Sequence, residues 1–389
     1  MIFCINANDI KKSKIRADYG ISYELELLRL IEKLQGMKIF INSVVVTMYH
    51  DENNIEHLEK LLKERNIKMY IHRPTLGYPD DIDTIVSEDG YGKNPYIETT
   101  KKLVVVTAPG PNSGKLGTCL SQLYHEYKKG VKAGYAKFET FPVWNLSLLD
   151  PINIAYEAAT IDLKDVNMID PFHLEAYGEH AVNYNRDIST FPILKNILHK
   201  ITGSDVYKSP TDMGVNMIKQ CIIDEEICRD AAKEEIIRRH YNTLCDYKQR
   251  ICDEKTVESA KALMDKLELS IGDREVAKVA NEKAVEKGTN VLAIELGEGK
   301  LITGKETKIL SCASAAFLNA IKEITKIPDD EYLLSPTVLN GIYHMKQKTS
   351  YNTSYFLNLP EVLIVLSICA VTNPIIEKAI NELRKIEKL

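Results

Sequence analysis

Apolar and polar residues follow two patterns along the first 140 or so residues of this chain, one typical of strands and one typical of helices. Short runs of β-branched and other apolar residues predict buried strands, at residues 1–6, 38–47, 68–72, 103–107 and 133–138. Apolar residues at helical spacing predict amphipathic helices between them, over residues 21–35, 54–65 and from Lys115 onward. This alternation indicates an α/β fold, a P-loop-like parallel sheet with helices on both faces.

The pattern changes beyond residue 190. Charged stretches with helical spacing come first, at residues 225–250, 256–269 and 273–287. NVLAIEL and LITGK then predict a β-hairpin around a glycine turn, and further helical patterns follow at residues 311–324, 363–370 and 374–389. We therefore expect an α/β nucleotide-binding domain, a helical domain and a smaller C-terminal α/β subdomain, over residues 1–190, 191–288 and 289–389.

Composition narrows the function classes. The 389 residues are 44% hydrophobic and carry a net charge of −5 without a clustered Lys/Arg block, so nucleic-acid binding is not expected. The longest apolar run, residues 362–371, is about half of the roughly 20 residues that a membrane span needs, and no signal-peptide pattern follows Met1. The eight cysteines include no CxxC pair, which is typical of reduced, packed thiols. We expect a cytoplasmic protein without a membrane partner.

The candidate chemistry begins with TAPGPNSGK, between the predicted strand at 103–107 and the helix that starts at Lys115. A strand, a glycine-rich loop, a lysine and a helix start together favour a phosphate cradle. The predicted ligands are the loop amides and the lysine ammonium, from Gly110, Asn112, Ser113, Gly114 and Lys115. The alternative is an ordinary strand-to-helix turn.

This loop departs from the Walker pattern G-x-x-x-x-G-K-[ST] at two places. Pro109 stands where the first glycine belongs, and Leu116 stands where a magnesium-binding hydroxyl belongs. Thr118 is the nearest hydroxyl after the lysine, and it is either a displaced magnesium ligand or a packed helix residue. The expected cofactors are ATP, or a related nucleotide, and Mg²⁺.

Two further segments carry candidate catalytic groups. Lys137 and Glu139 leave the predicted strand at 133–138 on one side of the sheet, where they face a substrate or form a surface ion pair. DPFHLEAYGEH supplies Asp170 and His173 as acid/base candidates, and Asp170 and Glu175 join Thr118 as metal-ligand candidates. The same segment also reads as a polar loop, because Asp-Pro is a common turn start.

Several long strings resemble the bacterial uncharacterised protein family 0371 over essentially the whole chain. They include KIRADYGISYELELLRLI, SEDGYGKNPYIETTK, DVNMIDPFHLEAYGEHAVNYNRD and YKSPTDMGVNM. The resemblance implies an α/β nucleotide-binding-like part, a helical insertion and a C-terminal α/β part. It also implies that typical members carry a further N-terminal segment and a short C-terminal tail.

A second resemblance covers roughly 40 residues. The loop, its helix and VKAGYAKFETFP look like the start of dethiobiotin synthetase-type P-loop enzymes, in which the next strand delivers a lysine to the active site; Lys137 occupies that place. This resemblance implies an ATP-dependent ligase or kinase acting on a small-molecule substrate. The alternatives are a non-catalytic nucleotide or anion sensor and a metal-dependent hydrolase. A homo-oligomer is compatible with each.

Overall fold

The computed structural model describes residues 1–16, 20–138, 142–214, 218–297, 299–349 and 356–383. The chain forms two compact units, Met1–Arg229 and Asp230–Leu389. This division coincides with neither boundary expected from the sequence, and the finer division into three segments stays a prediction. Among the described residues, no helix is long and apolar enough to cross a membrane.

The first unit contains a parallel sheet and two small antiparallel pairs of strands. Its described strands are β1 (Ile2–Asn6), β2 (Ile15–Arg16), β3 (Ile21–Ser22), β4 (Ser43–Thr47), β5 (Lys68–Ile71), β6 (Val106–Thr107), β7 (Asn167–Ile169) and β8 (Val182–Tyr184). Its described helices are α1 (Ala7–Lys11), α2 (Tyr23–Gly36), α3 (Glu56–Glu64), α4 (Ile82–Ile85), α5 (Lys115–Lys128), α6 (Pro151–Ala159), α7 (Pro171–Tyr177) and α8 (Asn185–Thr202).

The parallel sheet has the strand order β5-β4-β1-β6. Phe3 lies opposite Val44 on one side and opposite Thr107 on the other, which fixes the register of the central strand. The chain adds β4 and β5 on one side of β1 and then returns to place β6 on the other side. The sheet therefore has a topological switch point between β1 and β6, and ligands of such sheets bind beyond the carboxyl ends of the strands there.

Helices cover both faces of this sheet, as the sequence predicts. On one face, alternate residues of β1 and β4 (Phe3, Ile5, Val44 and Val46) pack in one apolar core with residues of α2 and α3 (Leu27, Ile31, Leu58 and Leu62). On the other face, the Cys4 thiol lies 3.4 Å from the hydroxyl of Thr118 on α5. Burial on both sides explains why β1 and β4 are apolar at almost every position.

The second unit pairs an antiparallel hairpin with helices. Its described elements are β9 (Val291–Leu296), β10 (Lys300–Lys305), α10 (Glu254–Lys266), α11 (Glu275–Lys287), α12 (Cys312–Thr325), α13 (Pro336–Thr349), α14 (Leu359–Ala370) and α15 (Pro374–Asn381), and the division between the units falls within α9 (Glu225–Lys248). Gly304 on β10 lies so close to α12 that a Cβ there would meet the Ala316 backbone nitrogen at 1.9 Å. The hairpin and α12 therefore pack backbone to backbone.

Three predicted strands are shorter than expected or absent. The strand predicted at 38–47 is reduced to Ser43–Thr47. The strand predicted at 103–107 is reduced to Val106–Thr107, and the Leu103 side chain is 82% exposed, because β1 pairs with this edge strand only through Ile2 and Phe3. The segment 133–138 is not a strand. The Lys137 backbone N–H donates to the Met213 carbonyl oxygen at 2.7 Å, so this segment is held by residues 210–213 rather than by the sheet.

Candidate functional site

The GK loop, residues 108–115, joins β6 to α5 at the carboxyl end of the parallel sheet. It reaches across β1 to β4, because its residues contact the last residues of both strands. The Asn6 side-chain amide donates to the Asn112 carbonyl oxygen at 3.2 Å. The Thr47 hydroxyl donates to the Ser113 carbonyl oxygen at 2.8 Å, and Thr47 is almost fully buried. The loop therefore lies over the switch point of the sheet.

The loop is also held by bonds within itself, and these too end on carbonyl oxygens. The Ser113 hydroxyl donates to the Gly110 carbonyl oxygen at 2.7 Å. The Lys115 ammonium donates to the same oxygen at 3.2 Å, so the lysine folds back over the loop that precedes it. Side chains therefore donate to the carbonyl oxygens of the loop, and the backbone N–H groups of the loop take no part in these hydrogen bonds.

Those donors are the N–H groups of Gly110, Asn112, Ser113 and Gly114. None of them donates a hydrogen bond to any part of the chain that the structure describes. Asn112 and Gly114 have positive φ angles of 54° and 80°, an alternation that turns successive N–H groups toward one side. The start of α5 adds partial positive charge at the same place. The loop thus combines backbone N–H groups that donate to none of the described residues with the start of a helix.

Two glycines of the loop have no room for a side chain. A Cβ on Gly114 would meet the Thr47 side chain at 2.7 Å, in a backbone conformation that L side chains rarely adopt. A Cβ on Gly110 would meet the Tyr23 ring at 2.6 Å. Tyr23 opens α2 and is itself buried, so it cannot move aside cheaply. These contacts set the close approach of the loop to β4 and α2.

Thr118 lies one turn into α5 and faces the sheet rather than solvent. Its side chain is 1% exposed, and its hydroxyl accepts a bond from the Cys4 thiol at 3.4 Å. Burial raises the pKa of that thiol to about 11, so Cys4 stays protonated and able to donate. The side chain after the lysine, Leu116, carries no metal ligand. The prediction that Thr118 binds magnesium therefore needs a different side-chain orientation from the one seen.

Lys137 does not lie at the GK loop. It belongs to a separate network of ion pairs around Tyr184. Its ammonium bonds to the Tyr184 hydroxyl and lies 2.5 Å from the Asp187 carboxylate. The Arg186 guanidinium lies over the Tyr184 ring and forms a salt bridge with Asp165 at 3.1 Å. Burial raises the pKa of the Asp165 carboxyl group. Glu139, the predicted companion of Lys137, lies outside the described residues.

Asp170 and His173 belong to a third place, which we call the Asp170–Ser209 cluster (Asp170, His173, Ser209 and Thr211). Asp170 caps α7 by accepting from the Phe172 and His173 backbone N–H groups, and its other oxygen accepts from the Thr211 hydroxyl at 2.7 Å. The ring Nδ1 of His173 lies 3.0 Å from the Ser209 hydroxyl, and all four residues are buried. The DPFHLEAY and SPTDMG segments, distant in sequence, thus meet.

The described residues contain no group of three or more His, Cys, Asp or Glu side chains arranged to hold a metal ion. Glu175 lies on α7 with its side chain exposed, away from the buried Asp170 carboxylate. The predicted metal residues Thr118, Asp170 and Glu175 therefore do not converge in this arrangement, although metal binding itself stays a prediction.

A surface cavity elsewhere on the first unit lacks the features of the GK loop. This cavity has a volume of about 440 Å³ and is lined by Gln35, by residues 38–41 and by residues 65–67, which precede β4 and β5. It therefore lies at the amino end of the sheet, where neither helix starts nor loop amides converge. Volume alone does not identify the site.

The sequence did not reveal the residues that position the loop. The sequence pattern does not indicate Asn6, Thr47 or Tyr23 as candidate residues. It does not indicate Ser209, Tyr184 or Asp187 either. One signal was present, because Asn6 and Thr47 are the polar residues that end two apolar strands. The carboxyl ends of neighbouring parallel strands share one edge of the sheet.

Comparison with known proteins gives consistent matches. The family described as "Domain of unknown function DUF1846, N-terminal" matches residues 1–268, and "Domain of unknown function DUF1846, C-terminal" matches residues 272–389. The chain is 52% identical to a UPF0371 protein of Clostridium botulinum (strain Kyoto / Type A2) and to one of Clostridium tetani (strain Massachusetts / E88). Each alignment spans 392 residues and covers 98% of this chain and 78% of the relative.

Proposed function

This chain belongs to the DUF1846 family, and we propose that it binds the phosphate groups of ATP, or of a related phosphorylated ligand, on the GK loop. The observation that supports the proposal is the difference between the hydrogen-bond acceptors and the hydrogen-bond donors of the loop backbone. Its carbonyl oxygens accept from Asn6, Thr47, Ser113 and Lys115, whereas the N–H groups of Gly110, Asn112, Ser113 and Gly114 donate to none of the described residues.

Backbone N–H groups without an acceptor in the chain donate to solvent or to a ligand, because each is an obligatory hydrogen-bond donor. Phosphate oxygens are acceptors with negative charge, and they suit donors that converge at a helix start. In this proposal the loop N–H groups donate to the phosphate oxygens. The Lys115 ammonium, which donates to the Gly110 carbonyl oxygen here, donates to a terminal phosphate when the ligand is bound. Asn6 and Thr47 hold the loop in shape throughout. Mg²⁺, when bound with the nucleotide, would neutralise phosphate charge.

The direct test is calorimetric titration of the protein with ATP and, separately, with inorganic phosphate. Lys115→Ala removes a charge-assisted bond of about 1.5–3 kcal/mol, so we expect binding at least tenfold weaker. Lys132→Ala removes an exposed lysine just beyond α5 and serves as the matched control, with unchanged affinity. Equal affinity in Lys115→Ala and the unmodified protein would contradict the proposal.

Two functions share this binding site. The first is an ATP-dependent ligase or kinase, with a small-molecule substrate near Lys137 and catalysis by positioning and charge neutralisation. The second is a non-catalytic nucleotide or anion sensor. The orientation of Thr118 favours the second, because its hydroxyl faces Cys4 and Leu116 offers no magnesium ligand. ATP binding without phosphate release or transfer, over a panel of metabolites, would select the sensor.

Two further predictions from the sequence concern hydrolase activity and cellular location. A metal-dependent hydrolase would use Asp170, His173 and Glu175, and activation by added Mg²⁺, Mn²⁺ or Zn²⁺ is its test. A cytoplasmic location is proposed on the composition of the cysteines. Fractionation of cells that express the tagged protein checks that location.

A further inference from the structure

Lys14, which directly precedes β2, lies over the ring of Tyr23. The antiparallel pairing of β2 with β3 places these two residues opposite each other, and the Tyr23 backbone N–H donates to the Lys14 carbonyl oxygen at 2.9 Å. Facing residues of such a pair bring their side chains close together. The Lys14 ammonium accordingly lies 5.0 Å from the centre of the Tyr23 ring. The hairpin therefore holds a lysine over the residue that opens α2.

The same tyrosine ring packs against the GK loop. A Cβ on Gly110 would meet the Cζ atom of the Tyr23 ring at 2.6 Å and the Tyr23 hydroxyl oxygen at 2.7 Å, so the ring lies directly against the Gly110 backbone. Tyr23 is 7% exposed and belongs to the apolar core that β1, β4, α2 and α3 share. The ring is therefore fixed in place, and only this ring connects Lys14 to the loop in the contacts described here.

Lys14 also pairs with a carboxylate, that of Asp9 on α1. The two charged atoms are 3.6 Å apart, which is longer than the roughly 2.7–2.9 Å of a charge-assisted hydrogen bond. The Lys14 side chain is 43% exposed, whereas the Asp9 side chain is 13% exposed. An ammonium group carries three N–H donors. Lys14 can therefore donate to a ligand without giving up a short hydrogen bond within the chain.

Two lysines are thus associated with Gly110. The Lys115 ammonium donates to the Gly110 carbonyl oxygen at 3.2 Å, and Lys14 lies over the ring that packs against the Gly110 backbone. In the proposed function, the loop N–H groups and Lys115 already bind one phosphate group. A chain of phosphate groups carries further negative oxygens beyond the first group, and these are acceptors for a second ammonium. A single phosphate group offers no such extension.

We propose that Lys14 binds a second phosphate group of the ligand on the GK loop, so that the site selects diphosphates and triphosphates over a single phosphate. This inference rests on the proposed function, because it assigns the ligand class of the same loop. The loop N–H groups and Lys115 bind one phosphate group, and Lys14 donates to the next one. Tyr23 positions the second ammonium and does not itself contact the ligand.

The experiment compares ATP, pyrophosphate and inorganic phosphate as ligands of the full chain. Lys14→Gln removes the charge and keeps a polar side chain. We expect it to bind ATP and pyrophosphate about tenfold more weakly, because one charge-assisted hydrogen bond is lost, and to bind inorganic phosphate as the unmodified protein does. Calorimetry measures the first two affinities, and competition with ATP measures the third. Lys14→Arg keeps the charge over the aromatic ring and should restore the affinity for ATP.

Lys12→Gln is the matched control, because Lys12 is an exposed lysine two residues earlier in the same segment. It removes the same charge, so it measures how much of any effect comes from net charge alone. We expect it to leave all three affinities unchanged. Circular dichroism checks that each variant remains folded.

Two results would overturn this inference and leave the proposed function intact. If Lys14→Gln weakens ATP binding no more than Lys12→Gln does, Lys14 does not contact the ligand. If Lys14→Gln weakens the binding of inorganic phosphate as much as that of pyrophosphate, Lys14 acts on the first phosphate group or on the loop itself, and the ligand class assigned here is wrong. In both cases Lys115→Ala should still weaken ATP binding. A protein that binds neither ATP nor pyrophosphate would contradict the proposed function, and this inference with it.

Discussion

The GK loop and the Asp170–Ser209 cluster are both rich in polar groups, but they use those groups in opposite ways. In the cluster, the Asp170 carboxylate accepts from three backbone N–H groups and the Thr211 hydroxyl, and the His173 ring hydrogen-bonds with the Ser209 hydroxyl. Every contact is internal and buried. In the GK loop, side chains hold the carbonyl oxygens and the N–H groups donate to none of the described residues.

The difference teaches that a dense run of carboxylates and imidazoles is not by itself a site. DPFHLEAYGEH has more ionisable residues, yet its buried Asp170 and His173 form hydrogen bonds with the SPTDMG segment and so join two parts of the fold. TAPGPNSGK has fewer ionisable residues and leaves its donors available. We therefore expect changes in the loop to reduce binding, and changes in the cluster to reduce stability.

The largest effect is expected for Gly114→Ala. The added Cβ would collide with Thr47, and alanine would have to adopt the positive φ of this position. The loop must shift, and we expect the affinity for ATP and inorganic phosphate to fall by roughly 100-fold or more. Calorimetry measures the affinity, and circular dichroism confirms the fold.

Gly36→Ala is the matched control, because Gly36 ends α2 with open space around its Cβ position. It should change neither the affinity nor the fold. Unchanged phosphate binding by Gly114→Ala would mean that the loop conformation does not matter, and the contrast between the two regions would be lost.

Asp170→Ala should give the next largest effect, on stability alone. It removes the cap of α7 and leaves the Thr211 hydroxyl and three N–H groups without their buried acceptor. We expect a loss of about 3 kcal/mol in the free energy of unfolding, measured by urea titration, with phosphate affinity unchanged.

Asp253→Ala provides the comparison for this variant. Asp253 also caps a helix, α10, by accepting from the Thr256 N–H group, but it is exposed, so its removal should cost only about 1 kcal/mol. Should Asp170→Asn, which keeps most of the cap, abolish an activity while remaining folded, the cluster would be a catalytic site and our interpretation wrong.

A smaller effect is expected from His72, which follows β5 at the same end of the sheet as the GK loop. Burial lowers its pKa to about 4, and its Nε2 has no hydrogen-bond partner among the described residues. Between pH 6.5 and 4 the unfolded chain binds a proton that the native protein does not, so acid favours unfolding. The histidine should therefore cost about 2 kcal/mol of stability at pH 5 relative to pH 7.

Urea unfolding at both pH values measures this loss. His72→Gln should remove it, whereas His57→Gln, at an exposed position on α3, should not. If His72→Gln leaves the pH dependence as it was, the imidazole binds a proton equally well in the folded and the unfolded protein, and burial does not lower its pKa.

Much of the fold was predictable because the sheet is buried on both faces. Apolar runs such as those of β1 and β4 are required there, and the helical periodicity of α2, α3 and α5 supplies the covering layers. The strand predicted at 133–138 failed for the opposite reason. Its alternating pattern suits any extended segment, and here the hydrogen-bond partner of Lys137 is Met213, far away in sequence.

The sequence by itself determined the family, the α/β class and the position of a glycine-rich loop before a helix, because these depend on local pattern and on chain-wide resemblance. Only the tertiary structure decided which polar groups are paired. Asn6 and Thr47 come to the loop from strands more than 60 residues earlier, and Ser209 comes to His173 from 36 residues later. Hydrogen bonds between segments so far apart arise from packing, and no local pattern encodes them.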